Sequence, residues 1–443
     1  MTVQVARPGE PGYEVTRANS IVQERPAGVV TARSAADVQE AVKYAVSADL
    51  PVAVQATGHA YTTAADGALL ISTREMSEVT VDPVARTARV SAGVRADALI
   101  AAAAAHELAP INGAASTVGT VGFTLGGGLG PLGRSYGFAA DNVRTFDLVT
   151  ADGSMVTASP DEEPELFWGV RGSRGNLGVV TSLVTDLVPV TRLYGGGLYF
   201  DGASTAAVLS AYREWVSTVP DAMSSSFAML RLPDFEFIPE PIRGKFVLHV
   251  RIAFTGSAAD GEVLVAPLRA VAPALIDTVS EMPYTSVASI HNDPPDPGPF
   301  VERSGLLREL SPEVLSVLLE IAGPDVSAAL TTVELRQLGG ALGRTPVRPS
   351  AVGFRSAGFS LFVGTVGLPE LVEPAHEVHG RLVEALSPWR VGGPFVSFLS
   401  GGDLAPEVVA SAYEEGDYLR LRALKGVVDP GNVFRVNHNI PPA

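Results

Sequence analysis

The chain has 443 residues, a formal net charge of −16 and no cysteine. Disulfides, thiolate catalysis and cysteine-ligated metals are excluded, and so acidic a chain is a poor partner for nucleic acid or an anionic membrane, because phosphate binding needs a basic surface. With 46% hydrophobic and 18% charged residues it is a foldable globular chain, long enough for two or three domains.

The start, "MTVQVARPGEPGYEV", has no basic segment followed by an apolar one, so no secretory signal is expected and a cytoplasmic location is the simplest expectation. The longest apolar run, Ala98–Ala105, is far too short to span a bilayer. "AGVVTA" (Ala27–Ala32) reads as a strand. Ser34 then caps a helix in which Val38, Ala41, Val42, Ala45 and Val46 recur at helical spacing. "PVAVQ" (Pro51–Gln55) and "GALLIS" read as strands, and "SEVTVD" with "ARTARVSAG" as a hairpin around Asp82 and Pro83. "ADALIAAAAAHEL" (Ala96–Leu108) predicts a helix, "GTVGFTLGG" a loop and "TFDLVT" a strand. From about Tyr194 to Val391, strands such as "KFVLHVRIAF" and "GFSLFVGTVG" alternate with helices, as expected of a second domain with a sheet backed by helices. "APEVVASAYEEGDYLRLRALKGVV" predicts one further helix, ending in the turn "DPGNVF".

Eight glycines lie between Gly113 and Gly133, and Gly128, Gly130 and Gly133 spell G-x-G-x-x-G. A nicotinamide-binding fingerprint needs a strand before it and a long helix after it. Here the motif is followed by "RSYGFAADNV" and a strand, so that reading is weak. Glycines at this density are entropically costly in a purely structural loop, and their use is to let backbone N–H groups approach a ligand, most often a pyrophosphate. His59 follows Gly58 just after a strand end, about fifty residues earlier. It is either a satisfied loop histidine or, if the two glycine loops clasp one diphosphate, a residue beside whatever the diphosphate carries.

Five segments in order carry a resemblance: "PGYEVTRANSIVQERPAGVVTARSAADVQEAVKYA", "PVAVQATGHA", "GAASTVGTVGFTLGGGLGPLGRSYGFAADNV", "LVTADGSMVTASPDEEPELFWGVRGSRGNLGVVTSL" and "LRLRALKGVVDPGNVFRVNHNIPP". On these the chain resembles the berberine-bridge-enzyme-like, FAD-linked oxidases, whose FAD domain is shared with vanillyl-alcohol oxidase and para-cresol methylhydroxylase. The middle matches in general pattern only. The resemblance implies an α+β fold with an FAD-binding domain over residues 1–190, a substrate domain with an antiparallel sheet over 191–400, and a segment, 401–443, returning to the FAD domain.

It further implies FAD attached covalently through its 8α carbon to His59. Cofactor contacts are expected from Gln55, Ala56, Thr57 and Gly58, from Gly113, Ser116, Thr117, Gly119, Gly122, Phe123, Gly126, Gly127 and Gly128, from Asp141, Gly178 and Val179, and from Asn437 and Asn439. The chain departs from the family at several positions. Ala115 stands where many members carry a second, cysteinyl link, so a single attachment is expected, and Thr57 replaces a glycine before the histidine. Phe395-Val396-Ser397-Phe398 lacks the tyrosine of the family's late-strand pattern, and Leu129 replaces another tyrosine after the glycine triplet. No catalytic base is therefore assigned. Tyr194, Tyr199 and Tyr284 are pocket candidates without motif support, and packing is the expected role of Tyr418, placed with Tyr413 on the C-terminal helix. Glu334 and Arg336 either point to the ring from the central sheet or lie on a solvated face. Val118 occupies a position that tends to govern oxygen access in the family. The implied reaction is oxidation of a small organic substrate, natural products included, in a largely apolar pocket, with reoxidation by dioxygen and no metal. The alternatives are a dehydrogenase, a non-redox cyclase or isomerase that keeps the flavin, and a non-enzymatic binding module.

Overall fold

The computed structural model describes residues 3–15, 17–59, 63–294, 296–326 and 329–443. Three sheets organise it. The first is parallel, in the order β1 (Gly28–Thr31), β3 (Leu69–Ser72), β2 (Val52–Gln55). Helix α1 (Ala35–Ser47) starts where the sequence places it: Ser34 Oγ accepts from Asp37 N, and the Asp37 carboxylate accepts from Ser34 N, a reciprocal cap that satisfies two otherwise orphaned donors. Its buried stripe, Val38, Ala41, Val42 and Ala45, packs on Val30, Val52 and Ile71.

The second sheet is antiparallel, ordered β4 (Val79–Asp82), β5 (Thr87–Ser91), β8 (Val179–Asp186), β6 (Val143–Val149), β7 (Met155–Ala158). The Asp82 carboxylate accepts from Val84 N and Ala85 N, both at 2.9 Å, and this Asx turn sets the β4–β5 hairpin. Helices α2 (Ala96–Ala104), α3 (Thr120–Leu125) and α5 (Pro164–Val170) pack against this sheet, while α4 (Gly133–Tyr136) lies against the third. The segment "GTVGFTLGG", expected as a loop, thus contains α3. Thr120, Val121, Thr124 and Leu125 are buried, so tertiary burial forms a turn and a half of helix that glycine content argues against.

The third sheet is antiparallel throughout, along the path β12 (Ala274–Asp277), β9 (Arg192–Asp201), β11 (Phe246–Phe254), β10 (Met223–Arg231), β15 (Thr332–Gln337), β16 (Phe359–Val366), β14 (Phe300–Leu307), with β13 (Ser280–Pro283) also on β9. One face packs its apolar side chains, such as Leu198, Val250, Phe227, Leu335 and Val363, against α6 (Thr205–Trp215), α7 (Ala258–Arg269), α8 (Pro312–Ala322) and α9 (Val372–Ala385). Among the described residues no helix is long and apolar enough to cross a membrane.

The C-terminal helix expected as one is two: α10 (Pro406–Ser411) and α11 (Glu415–Val428). The break falls where tertiary bonds claim two residues. Tyr413 turns inward and donates its hydroxyl to Gly172 O at 3.0 Å, and Glu414 accepts from Phe354 N at 3.0 Å. Tyr413 therefore lies between the helices, while Tyr418, on α11, packs against Tyr413 with ring centroids 6.1 Å apart. The tail then returns to the first sheet. Val52 N donates to Val433 O, Phe434 joins the core beneath α1, and Val436 covers the opposite face of the sheet.

Candidate active site

The two glycine-bearing loops meet. A Cβ on Gly119 would touch Ala56 Cβ at 3.3 Å and Thr57 at 3.7 Å, so the 56–59 and 113–128 loops are packed edge to edge. His59 closes the first of them. Its side chain is exposed to solvent, yet surrounding protein lowers its pKa from 6.5 by desolvation, against the opposing pull of Asp293. A group both accessible and crowded sits in a recess, and this imidazole is neutral at neutral pH.

The second loop is held by hydrogen bonds from outside it. Ser397 Oγ donates to Gly126 O at 2.7 Å and accepts from Gly128 N at 3.3 Å. Arg174 donates to Val396 O, Ser397 O and Leu399 O, so the 396–399 turn and the glycine triplet form one clamp. Gly127 and Gly128 have φ of +97° and +80°, conformations that a side chain disfavours. A Cβ on Gly128 would strike Phe123 and Ala139, one on Gly113 would strike Phe123, and one on Gly130 would enter the Asn112 carbonyl. Gly122, by contrast, faces open space on α3.

Buried polar atoms without partners collect here. Both amide atoms of Gln55 are unpaired, as are the Oδ1 atoms of Asn437 and Asn439. Gln55 shares its face of β2 with Ala53, the face that Val436 of the tail covers. Buried polar groups are ordinarily satisfied, so these amides, with two glycine loops whose backbone is open to close approach, fit a ligand with many acceptors and donors. Ser116 and Val118 use their carbonyls to accept from Asp97 N and Ala96 N, which leaves their side chains and that of Thr117 half-buried along the loop. Val179 is fully buried and points into the core under α1, and a Cβ on Gly178 would strike Val149 O. Asp141 does not contribute its carboxylate. Both oxygens are bound by Arg355, at 2.6 and 3.0 Å, and one also accepts from Phe138 N.

Opposite the loops stands the face of the third sheet that its helices leave uncovered. Register places Tyr199, His249, Ala228, Glu334, Phe362 and Ser304 in one cross-strand row. The next row holds Gly197, Arg251, Ser226, Arg336 and Ser360. Glu334 is 2% exposed, which removes the solvated-face reading. Its Oε1 accepts from Arg251 at 2.6 Å and from Ser226 Oγ at 2.9 Å, and its Oε2 from Arg336 at 2.9 Å. His291 Nε2 lies 3.5 Å from Oε1. Burial acts to raise the Glu334 pKa, but Arg336 and Arg251 outweigh it and hold the group well below the usual carboxylate range. His249 is depressed by burial and then by Arg251; its Nδ1 accepts from Arg251 Nε, and Tyr199 stacks on it at 3.8 Å. Leu129, Arg251, His291 and Arg336 line one cleft between the glycine loop and the sheet.

Of the three tyrosines expected near the pocket, only Tyr199 is on this face. Tyr194 points to the helix side, bonded to Glu262 and Arg269. Tyr284 is buried, donating to Asn112 Oδ1 at 2.6 Å and Pro110 O at 3.0 Å, where it fastens the sheet to the glycine stretch. Val396–Phe398 is a short turn of 3-10 helix, preceded by Phe395, rather than a strand. Sequence reading missed Arg251, His249 and His291, and the Arg174 clamp. The signal for the first two was present: His249/Arg251 and Glu334/Arg336 are polar pairs two residues apart in apolar runs, which puts each pair on one face of a strand.

Residues 26–159 match the family profile described as FAD binding domain, and residues 400–441 the one described as berberine and berberine like. Over 440 residues the chain is 30% identical to (R)-6-hydroxynicotine oxidase of Paenarthrobacter nicotinovorans, covering 95% of this chain and 92% of that one. The chain belongs to the berberine-bridge-enzyme-like FAD-linked oxidases. This BBE-like oxidase superposes on 6-hydroxy-D-nicotine oxidase from Arthrobacter nicotinovorans with a TM-score of 0.83 at 26% identity, covering 100% and 98% of the two chains. It superposes on a BBE-like protein of Physcomitrella patens with a TM-score of 0.86 at 22% identity, covering 100% and 97%. The α+β fold and the FAD-linked oxidoreductase activity expected from the sequence are thereby established. As in the rest of the family, FAD is the ligand that the loops and orphaned amides fit.

Proposed function

We propose that the protein oxidises a small organic substrate with FAD attached once, covalently, through His59. The observation that carries this is the position of His59: a neutral imidazole in a recess at the meeting of two glycine loops, with Ala115 where a cysteine would make a second link. When bound, FAD supplies a hydride acceptor that dioxygen restores. Residues 1–190 and 401–443 hold the cofactor, the glycine backbones and Gln55, Asn437 and Asn439 supplying its polar contacts. Residues 191–400 present the substrate face. Val118, small and half-buried beside the loop junction, leaves room for dioxygen.

Glu302 on β14 pairs with Gly364 and so shares the face of Ser304 and Phe362. Burial pushes its pKa up to about 7, with Arg174 opposing and Asp403 adding to the rise. A carboxylate so placed accepts a substrate proton near neutral pH, whereas Glu334, held low, is too weak a base. The pocket is apolar only in part: Leu129, Phe362, Phe398 and Tyr199 are interleaved with the paired charges of Arg251, Glu334 and Arg336. The cellular location proposed is the cytoplasm.

The test is acid precipitation of the purified protein. A yellow, fluorescent pellet from wild type and a colourless one from His59→Ala are expected. A yellow pellet from His59→Ala refutes the assignment, and a wild-type protein that takes up no FAD refutes the whole reading. Mixing dithionite-reduced protein with air-saturated buffer then separates oxidase from dehydrogenase, since a dehydrogenase stays bleached for minutes.

A further inference from the structure

The charged row on the central sheet does not balance. Arg251 and Arg336 are both permanently protonated, and each pairs with the same carboxylate, Glu334. Neither has a second carboxylate partner among the described residues. The two histidines beside them are kept neutral by burial, so they add no further positive charge. Two guanidiniums against one carboxylate leave one positive charge, and it is placed where water is scarce: Arg251 is 5% exposed and the Arg336 side chain 15%. Arg336 Nε is buried with no acceptor, and so is Nε2 of His249, while neither ring nitrogen of His291 has a hydrogen-bond partner.

An uncompensated buried charge with idle donors is costly, and it is tolerated where an anion arrives to meet it. The chain makes room for the arrangement. Gly197 is the cross-strand neighbour of Arg251, and a Cβ there would run into the His249 ring. An apolar wall adjoins the surplus charge: the Arg336 guanidinium lies 5.1 Å from the Phe398 ring centre, and Phe398 packs on Phe362 at 5.7 Å.

We infer that the substrate is an organic acid, its carboxylate received by the Arg251–Arg336 pair and its apolar body resting on Phe362 and Phe398. Glu334 is the positioning residue: each of its oxygens holds one guanidinium, and one charge is left for the ligand. A planar fork of N–H donors matches a carboxylate in two bonds, which a lone ammonium does not. The inference rests on the flavin-oxidase reading of the same cleft and narrows its substrate to acids.

The experiment uses the yellow holoprotein and two probes of one shape, benzoate and benzamide, titrated against the visible flavin spectrum. Benzoate is expected to perturb the band and to bind about tenfold tighter than benzamide or better. Arg336→Gln should weaken benzoate about tenfold and leave benzamide within about twofold, while Arg336→Lys, which keeps the charge, recovers part of the loss. Equal binding of the two probes to wild type overturns the inference without any variant. So does Arg336→Gln with unchanged benzoate affinity, and in that case a lowered flavin reduction potential in the variant would assign the charge to the reduced cofactor instead. A protein without flavin fails the parent reading and is recognised by its lack of colour before any titration.

Discussion

The two walls of the cleft are made of opposite materials. The loop wall works by leaving side chains out: Gly113, Gly119, Gly126, Gly127, Gly128 and Gly130 bring backbone close to a partner or to each other, and Ser397 and Arg174 lock the result from behind. The sheet wall works by putting charge in, with Arg251, Glu334 and Arg336 buried in adjacent cross-strand rows. The difference teaches which errors each wall tolerates. A backbone cradle fails on the addition of one methyl group. A charge cluster fails on the loss of one partner, because what remains is an unpaired ion in a low-dielectric site.

The largest effect expected from breaking this contrast is Gly130→Ala. Its methyl enters the Asn112 carbonyl, and backbone on both sides must move. A loss of about 4 kcal/mol or more is expected, read as chemical-denaturation stability and, in a His59→Ala background, as FAD retained after gel filtration. Near-wild-type values in both would show that the loop has more slack than its packing implies. Next comes Glu334→Gln, which keeps the shape and removes the charge that two arginines share. About 3 kcal/mol of destabilisation is expected, and a double variant with Arg251→Met should recover part of it. If the single substitution is silent, the sheet wall is not held by its ion pairs.

Ser397→Ala is smaller. It removes a donor to Gly126 O and an acceptor from Gly128 N, about 1 kcal/mol of clamp, and it should speed FAD loss from a His59→Ala background more than it lowers the melting temperature. The smallest effect is one of pH. Burial pushes His438 down to about 3 and His379 to about 4. The unfolded chain binds protons more readily than the native one between those values and 6.5, so stability is full above 6.5 and falls as pH drops through that window. Each histidine costs about 1 kcal/mol by pH 5.5. The melting temperature should fall from pH 7.5 to 5.5, and His438→Gln should flatten that slope. Glu302 carries the opposite sign in activity: turnover should rise with pH through about 7, and Glu302→Gln should remove that limb.

The loop wall was legible in sequence because its chemistry is written in consecutive letters. Glycine density read directly, as did the Ser34 cap and the Asp82 turn, whose bonds are local, while the roles expected of His59, Asn437 and Asn439 came with the family resemblance. The sheet wall was legible only in fragments. Glu334 and Arg336 drew notice as a pair, but Arg251 and His291 come from other segments, and only strand register and loop packing bring the four together. The partner of Asp141 is hidden for a related reason: Arg355 is 214 positions away. The break at Tyr413 was likewise invisible, because Gly172, which receives its hydroxyl, lies 241 positions earlier.

The returning tail has a consequence for how the molecule comes into being. Asn176 donates to His438 O across 262 positions, and the first sheet has Phe434 and Val436 as part of its covering on opposite faces. During synthesis the N-terminal third therefore emerges with its sheet only partly clad, and it waits while the whole central sheet is made. Contacts this distant close late and slowly. Maturation must then run in a fixed order, with the first sheet's covering completed only after the central sheet has been made, and a chain that stalls before Phe434 would carry a folded centre attached to an open beginning.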